Sequence, residues 1–150
     1  MRIRGVLPED YDRVICLVDG WWGRPVSQAL PRVFFDHFFA TSRIAEDEQG
    51  VAGFLVAFVS PAQPSVAYAH FVGVRPDCRR NGLARTLYEE FAACARAQGC
   101  REMRAITAPE NEASVRFHVG LGFTVSSPVP DYNGPGRAMV VFRRSLGFEG

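Results

Sequence analysis

Two periods of apolar spacing run through the chain, one of two residues and one near 3.6, and they divide it into strands and helices. Ile3 to Val6 is a short strand ended by Pro8. Glu9 to Val18 places Tyr11, Val14, Ile15 and Val18 at helical spacing. Asp19-Gly20-Trp21-Trp22-Gly23-Arg24-Pro25 reads as a loop from its glycine and proline content. Ser27 is placed to cap a second helix running to about Ala40, with Phe34, Phe35, Phe38 and Phe39 as a wide apolar stripe. Ser42 to Asp47 and Val51 to Val59 form a hairpin through Gly50. The unbroken apolar run of the second strand predicts burial on both faces.

Val66 to Val74 is a further strand, closed by Pro76. The clearest helix is Leu83 to Gln98, with Leu87, Phe91 and Cys94 on the face of Leu83 and Gly99 placed to stop it. Met103 to Thr107 reads as a strand and Asn111 to Gly120 as a short helix. Phe123 to Ser126 and Ala138 to Arg143 are two final strands on either side of the turn-rich Pro128 to Gly136. The order β-α-α-β-β-β-α-β-α-β-β predicts an α/β fold of the α+β type, a mixed sheet in one domain spanning 1–150.

Charge and cysteine content narrow the partners. Lys plus Arg number 17 and Asp plus Glu 16, a net charge of +1, which lacks the basic excess of a nucleic-acid binder. No run reaches the ~20 apolar residues of a membrane span, and the first residues lack the apolar core of a secretion signal. The expectation is a cytoplasmic protein with no nucleic acid and no membrane among its partners. Cys16, Cys78, Cys94 and Cys100 form no C-x-x-C pair, and the three histidines complete no zinc spacing. Reduced thiols and no metal are expected.

The most informative segment joins the Val66–Val74 strand to the long helix. A short turn carries Arg75, Pro76, Asp77, Cys78, Arg79 and Arg80, and the helix opens at Asn81-Gly82-Leu83-Ala84. The first turn of a helix has backbone N–H groups without intrahelical partners, at the positive end of the helix dipole, and a diphosphate fits there. Gly82 has no side chain to hold a phosphate off the backbone, Ala84 is nearly as small, and Arg79 and Arg80 add mobile positive charge. A plain turn is the competing reading. The dinucleotide fingerprint G-x-G-x-x-G is absent, and no Gly-Lys-Ser/Thr follows for a P-loop.

Arg79-Arg80-Asn81-Gly82-Leu83-Ala84 resembles the Arg/Gln-x-x-Gly-x-Gly/Ala motif of the GNAT N-acetyltransferase superfamily. Asn111-Glu112-Ala113-Ser114-Val115-Arg116-Phe117-His118 followed by Gly120-Leu121-Gly122-Phe123 is similar to that family's Asn-x-x-(Ala/Ser)-x-x-(Leu/Phe)-Tyr-x-x-x-Gly-Phe element. One helix and one strand separate the two, as in the family. The resemblance implies acetyl-CoA as cosubstrate, its pyrophosphate on the backbone amides of Arg80, Gly82 and Ala84 with Arg79, Asn81, Leu83 and Arg85 beside them. It implies that the Phe71-Val72-Gly73-Val74 strand pairs with the pantetheine arm, and that Asn111, Ser114 and Phe117 also contact the cosubstrate. Dimers are common in that family, so a homodimer is possible.

Direct transfer of acetyl to a primary amine requires a base for the amine and help for the departing thiolate. His118 stands where the resembling family usually has a tyrosine that donates to the sulfur. An imidazolium could take that role, whereas a neutral imidazole could only hydrogen-bond the sulfur. A helix histidine without a role is the alternative. His70 lies four residues before Val74, where some members, arylalkylamine acetyltransferases among them, carry a histidine as base. Its bland alternative is a half-buried histidine bonded to a neighbouring loop. Strand alternation puts His70, Val72 and Val74 on one face and Phe71 and Gly73 on the other.

For the small-molecule amine acceptor, the candidate contacts are Trp21 and Trp22, in the expected loop, with packing on the core as their equal alternative, and Asp131 and Tyr132, in the loop between the last two strands. Glu46-Asp47-Glu48 reads as a solvated turn, and Cys78 has no part in a mechanism that needs no nucleophilic thiol. The rivals are a non-catalytic CoA-binding sensor of the same fold, transfer from a longer acyl-CoA, and a nucleotide-binding protein using the same anion site.

Overall fold

A computed structural model describes residues 1–147, so the last three residues of the expected 1–150 domain lie outside it. Seven strands form one mixed sheet in the order β1-β2-β3-β4-β5-β7-β6. The chain gathers into two compact units: Met1–Phe58 with Ala69–Ala95, and Val59–Tyr68 with the chain from Arg96 onward.

In the first unit, β1 (Arg2–Gly5) pairs antiparallel with β2 (Arg43–Asp47), Arg2 opposite Glu46 and Gly5 opposite Arg43. β2 pairs antiparallel with β3 (Gly50–Val59), with a register slip between Ala45 and Glu46. Residues Val51 to Ala57 of β3 are all buried, as its apolar run predicts. Asp10, almost fully buried, accepts from Arg4, Arg13 and the Leu7 amide, and Glu46 accepts from the same two arginines. Burial pushes the Asp10 carboxyl up, but Arg4, the Leu7 amide and Arg13 together hold it at about 2.

The helical part of this unit departs from the periodicity. The first expected helix is a 3-10 turn followed by α1 (Tyr11–Ile15). The expected loop contains α2 (Val18–Trp22), because Val18 and Trp21 bury on one face at a spacing of three and Gly23 closes it in the left-handed region at φ 70°. The second expected helix is broken into a turn at Ser27–Ala29, α3 (Val33–His37) and a turn at Phe39–Thr41. Pro31 causes the break: it has no N–H and disfavours helical backbone at Leu30, whose φ and ψ are −127° and 68°. Ser27 caps nothing; Asp19 does, its Oδ1 accepting from the Val26 and Ser27 amides at 2.8 Å each.

β4 (Val66–Val74) leads through a 3-10 turn at Pro76–Cys78 to α4 (Leu83–Ala97), which buries Leu83, Leu87, Phe91 and Ala95 in steps of four, so Ala95 takes the place expected for Cys94. In the second unit, Val66 to Tyr68 run parallel to Glu102 to Arg104 of β5 (Glu102–Thr107). A parallel pair needs a crossover, and α4 supplies it. β5 pairs antiparallel with β7 (Val140–Ser145), which carries β6 (Thr124–Val125) on its other edge. α5 (Glu112–Gly120) lies between β5 and β6 in sequence.

Candidate active site

The turn before α4 is built by one arginine that the periodicity does not single out. Arg75 donates to both Asp47 oxygens, to Asp77 Oδ1 at 2.6 Å and to the Val51 carbonyl at 3.2 Å. Its amide bonds Ala52 O at 2.8 Å. Asp47 and Asp77 are held below the usual carboxylate range first of all by this guanidinium. The tip of the β2–β3 hairpin is therefore tied to the turn, and Glu46 and Asp47 are engaged by arginines rather than simply solvated. Burial, with Asp77 behind it, pushes the Cys78 thiol up, away from nucleophilic character.

Arg79 also has a fixed job. Its Nε donates to Val74 O at 3.2 Å and its Nη2 to Trp21 O, so this charge is not mobile as the sequence suggests. It ties the loop to α2. The backbone then turns left-handed twice, at Arg80 with φ 67° and at Gly82 with φ 78°. Arg80 holds that conformation with a Cβ, which costs about 1 kcal/mol. At Gly82 an added Cβ would meet nothing within 4 Å, so the space in front of this backbone is open. The first i to i−4 bond of α4 runs from Thr86 N to Gly82 O at 2.9 Å. The turn before it leads straight into the N-terminal end of α4, the positive end of the helix dipole. Asn81, Gly82 and Arg85 are exposed and Leu83 is buried.

On β4, Gly73 is explained by packing. An added Cβ would lie 2.6 Å from Phe54 Cε1 and 3.1 Å from Trp22 Cζ3. Phe71 packs on Phe54 and Trp22, at 5.8 and 5.0 Å between centroids. His70 stacks on Phe34 at 4.0 Å and 13°, and Phe34, Trp22 and Phe71 all pack on one core cluster. Consecutive residues 70 and 71 thus meet the same helical layer, and the expected strict alternation fails between them. His70 Nε2 lies 2.7 Å from Ala29 O. A carbonyl only accepts, so Nε2 carries the proton and Nδ1 is the basic nitrogen. Burial lowers the His70 pKa, the Ala29 bond opposing it. Trp21 is buried in the core and Trp22 half-buried, both on α2.

In the second unit, Asn111 caps α5: its Oδ1 accepts from Ser114 N at 3.2 Å while its Nδ2 donates to Thr107 Oγ1. Ser114 O in turn accepts from His118 Nδ1 at 2.8 Å. Phe123 N bonds His118 O and Gly122 N bonds Val119 O, each at 3.0 Å, with Gly122 left-handed at φ 93°. This is a Schellman ending, and Phe123 meets the His118 ring edge-on at 5.2 Å. His118 is 4% exposed and stacks on Phe142 at 4.2 Å and 9°. Burial lowers its pKa, the Ser114 carbonyl opposing. Half-buried Phe117 lies edge-on to it.

Asp131 sits left-handed at φ 56° in the β6–β7 connection and accepts the Gly136 amide at 2.7 Å. Tyr132 is 49% exposed. Burial, then the nearby Tyr132, pushes the Tyr68 hydroxyl up to about 12. The apolar pattern does not mark Tyr68; its place two residues before His70 in the sequence is the one signal that could have. Among the described residues no group of three or more His, Cys, Asp or Glu could hold a metal, and no helix is long and apolar enough to cross a membrane.

The family model described as "Acetyltransferase (GNAT) family" matches residues 11–123. The chain is 34% identical over 67 residues, 45% of its length, to aminoglycoside N(6')-acetyltransferase type 1 of Salmonella typhimurium, and spans about half (46%) of that relative. In structure it is similar to Ard1 from Thermoplasma volcanium, with a TM-score of 0.81 at 20% identity over 98% of each chain. It is also similar to the diaminobutyrate acetyltransferase EctA from Paenibacillus lautus in complex with L-2,4-diaminobutyric acid and coenzyme A, with a TM-score of 0.76 at 21% identity over 99% of this chain and 97% of that one. These two likenesses are ones of fold.

Proposed function

Because the chain belongs to the acetyltransferase (GNAT) family, we propose that its single domain, residues 1–150, transfers acetyl from acetyl-CoA to the primary amine of a small molecule. The doubly left-handed turn at Arg80 and Gly82, open in front and leading into α4, carries the reading. Its amides and the helix dipole suit a diphosphate. The EctA neighbour, solved with an amino-acid amine and coenzyme A, supports the same pairing of donor and acceptor.

Acetyl-CoA supplies an activated thioester whose carbonyl carbon the amine attacks as the C–S bond breaks. Backbone amides around Gly82 and Ala84 hold the diphosphate, and Arg79 fixes their loop through Val74 O and Trp21 O. In the second unit we keep Asn111, Ser114 and Phe117 as candidate cosubstrate contacts and Asp131 and Tyr132 as candidate acceptor contacts. His70 takes the amine proton at Nδ1. Its lowered pKa keeps it neutral at pH 7, and its Nε2–H on Ala29 O sets the tautomer. His118 can hand a proton to sulfur only as the imidazolium, which its burial opposes, so we assign it to positioning α5.

The test is thermal melting with coenzyme A and release of free thiol from acetyl-CoA with an amine panel. Coenzyme A, and neither ATP nor NAD, should raise the Tm. Gly82→Val, which closes the open space and strains a left-handed position, should raise the KM for acetyl-CoA about 100-fold. No Tm shift with coenzyme A and no thiol release with any amine would overturn the reading.

A further inference from the structure

Resting on the assignment of His70 as base, we propose that the acceptor is a monoamine with a flat apolar body, held against an aromatic wall formed by Phe34, Phe38, Phe58 and Trp22.

The wall is continuous and close to the base. Phe34 stacks on the His70 ring at 4.0 Å. Phe34 neighbours Phe58 at 6.4 Å and Phe38 at 6.0 Å, and Phe38 stacks on Phe58 at 4.6 Å. Next along the strand, Phe71 lies 6.3 Å from the His70 ring and carries Trp22 at 5.0 Å. Phe34, Phe38, Phe58, His70, Phe71 and Trp22 are all half-buried. Flat rings of this kind gain from an apolar body laid on them and attract an ammonium to their faces.

Charge disfavours the main alternative. A polycationic amine needs several carboxylates, because each ammonium stripped of water without a partner is costly. In this unit Asp10 and Glu46 are taken by Arg4 and Arg13, Asp12 by Arg32, and Asp47 by Arg75. Asp36, the carboxylate on α3, is exposed and two residues from Phe34, about 200° around the helix. The wall offers rings near the base, and the carboxylates on its own helices are Asp36 and Asp19, the latter accepting from the Val26 and Ser27 amides, although one matched relative is an aminoglycoside acetyltransferase.

The experiment compares kcat/KM of the full chain for phenethylamine and for kanamycin, with acetyl-CoA as donor and thiol release as readout. Phenethylamine should exceed kanamycin at least about tenfold, and Phe58→Leu, which keeps bulk and removes the flat face, should raise the KM for phenethylamine by about tenfold with the KM for acetyl-CoA unchanged. Preference for kanamycin overturns the proposal, and so does an unchanged phenethylamine KM in Phe58→Leu. Turnover of neither amine while coenzyme A still raises the Tm overturns it too, leaving the donor reading intact. If coenzyme A also leaves the Tm unmoved, the donor reading falls with it.

Discussion

The surroundings of His70 and of His118 are alike in chemistry and opposite in consequence. Both rings stack on a phenylalanine, Phe34 at 4.0 Å and Phe142 at 4.2 Å. Both give one ring nitrogen to a backbone carbonyl, and burial lowers both pKa values. They differ in which nitrogen is engaged and how far away the carbonyl lies. His118 uses Nδ1 on Ser114, one turn back on its own helix, inside a closed aromatic packet. His70 uses Nε2 on Ala29, 41 residues away, and lies on its strand between buried Ala69 and half-buried Phe71. A local bond in a sealed packet fixes a helix end. A long-range bond on a half-buried ring fixes a tautomer, as the proposed role of His70 requires. A depressed pKa alone does not tell a catalytic histidine from a structural one.

The largest expected effect separates the two. His70→Ala should lower kcat/KM by about 100-fold or more, the usual range for removing a general base. His118→Phe, which keeps a flat ring against Phe142, should stay within about tenfold of wild type. Steady-state kinetics on both, with one amine, checks this. A larger loss in His118→Phe would reverse the comparison.

Stability should order the pair the other way. His118→Ala leaves a hole among Phe117, Phe123 and Phe142 and frees the Ser114 carbonyl, so urea unfolding should show a loss of about 2–3 kcal/mol. His70→Ala, at a half-exposed site, should lose about 1 kcal/mol. The smallest effect is at the end of α5. Gly122→Ala puts a Cβ on the left-handed position and should cost about 1 kcal/mol, seen as a lower Tm with kcat nearly unchanged.

Sequence made the strands and the long helix legible because each carries an uninterrupted period. β3, β4 and α4 fall within a residue or so of their expected bounds. The stretch from Glu9 to Ala40 was not legible in detail. Its apolar residues serve short helices set at angles, and proline and glycine positions decide where each one ends. The second motif was legible as a pattern but not as a mechanism: Asn111, Ser114, His118, Gly122 and Phe123 prove to be successive parts of one cap, carbonyl bond and Schellman ending. Arg75 and the fixed Arg79 were hidden because a guanidinium's partners lie far off in sequence, at Asp47 and Trp21. Periodicity carries no information on such pairs.

The pH dependence of kcat/KM tests the central claim, that His70 in its neutral form takes the amine proton. A base with a lowered pKa is protonated, and inactive, only below its own value, so activity should rise with pH along a limb centred below 6.5. The amine contributes a separate limb at higher pH, common to every variant. Wild type and His118→Phe should both show the lower limb, and His70→Gln should lose it. A lower limb that survives in His70→Gln and vanishes in His118→Phe would contradict the account.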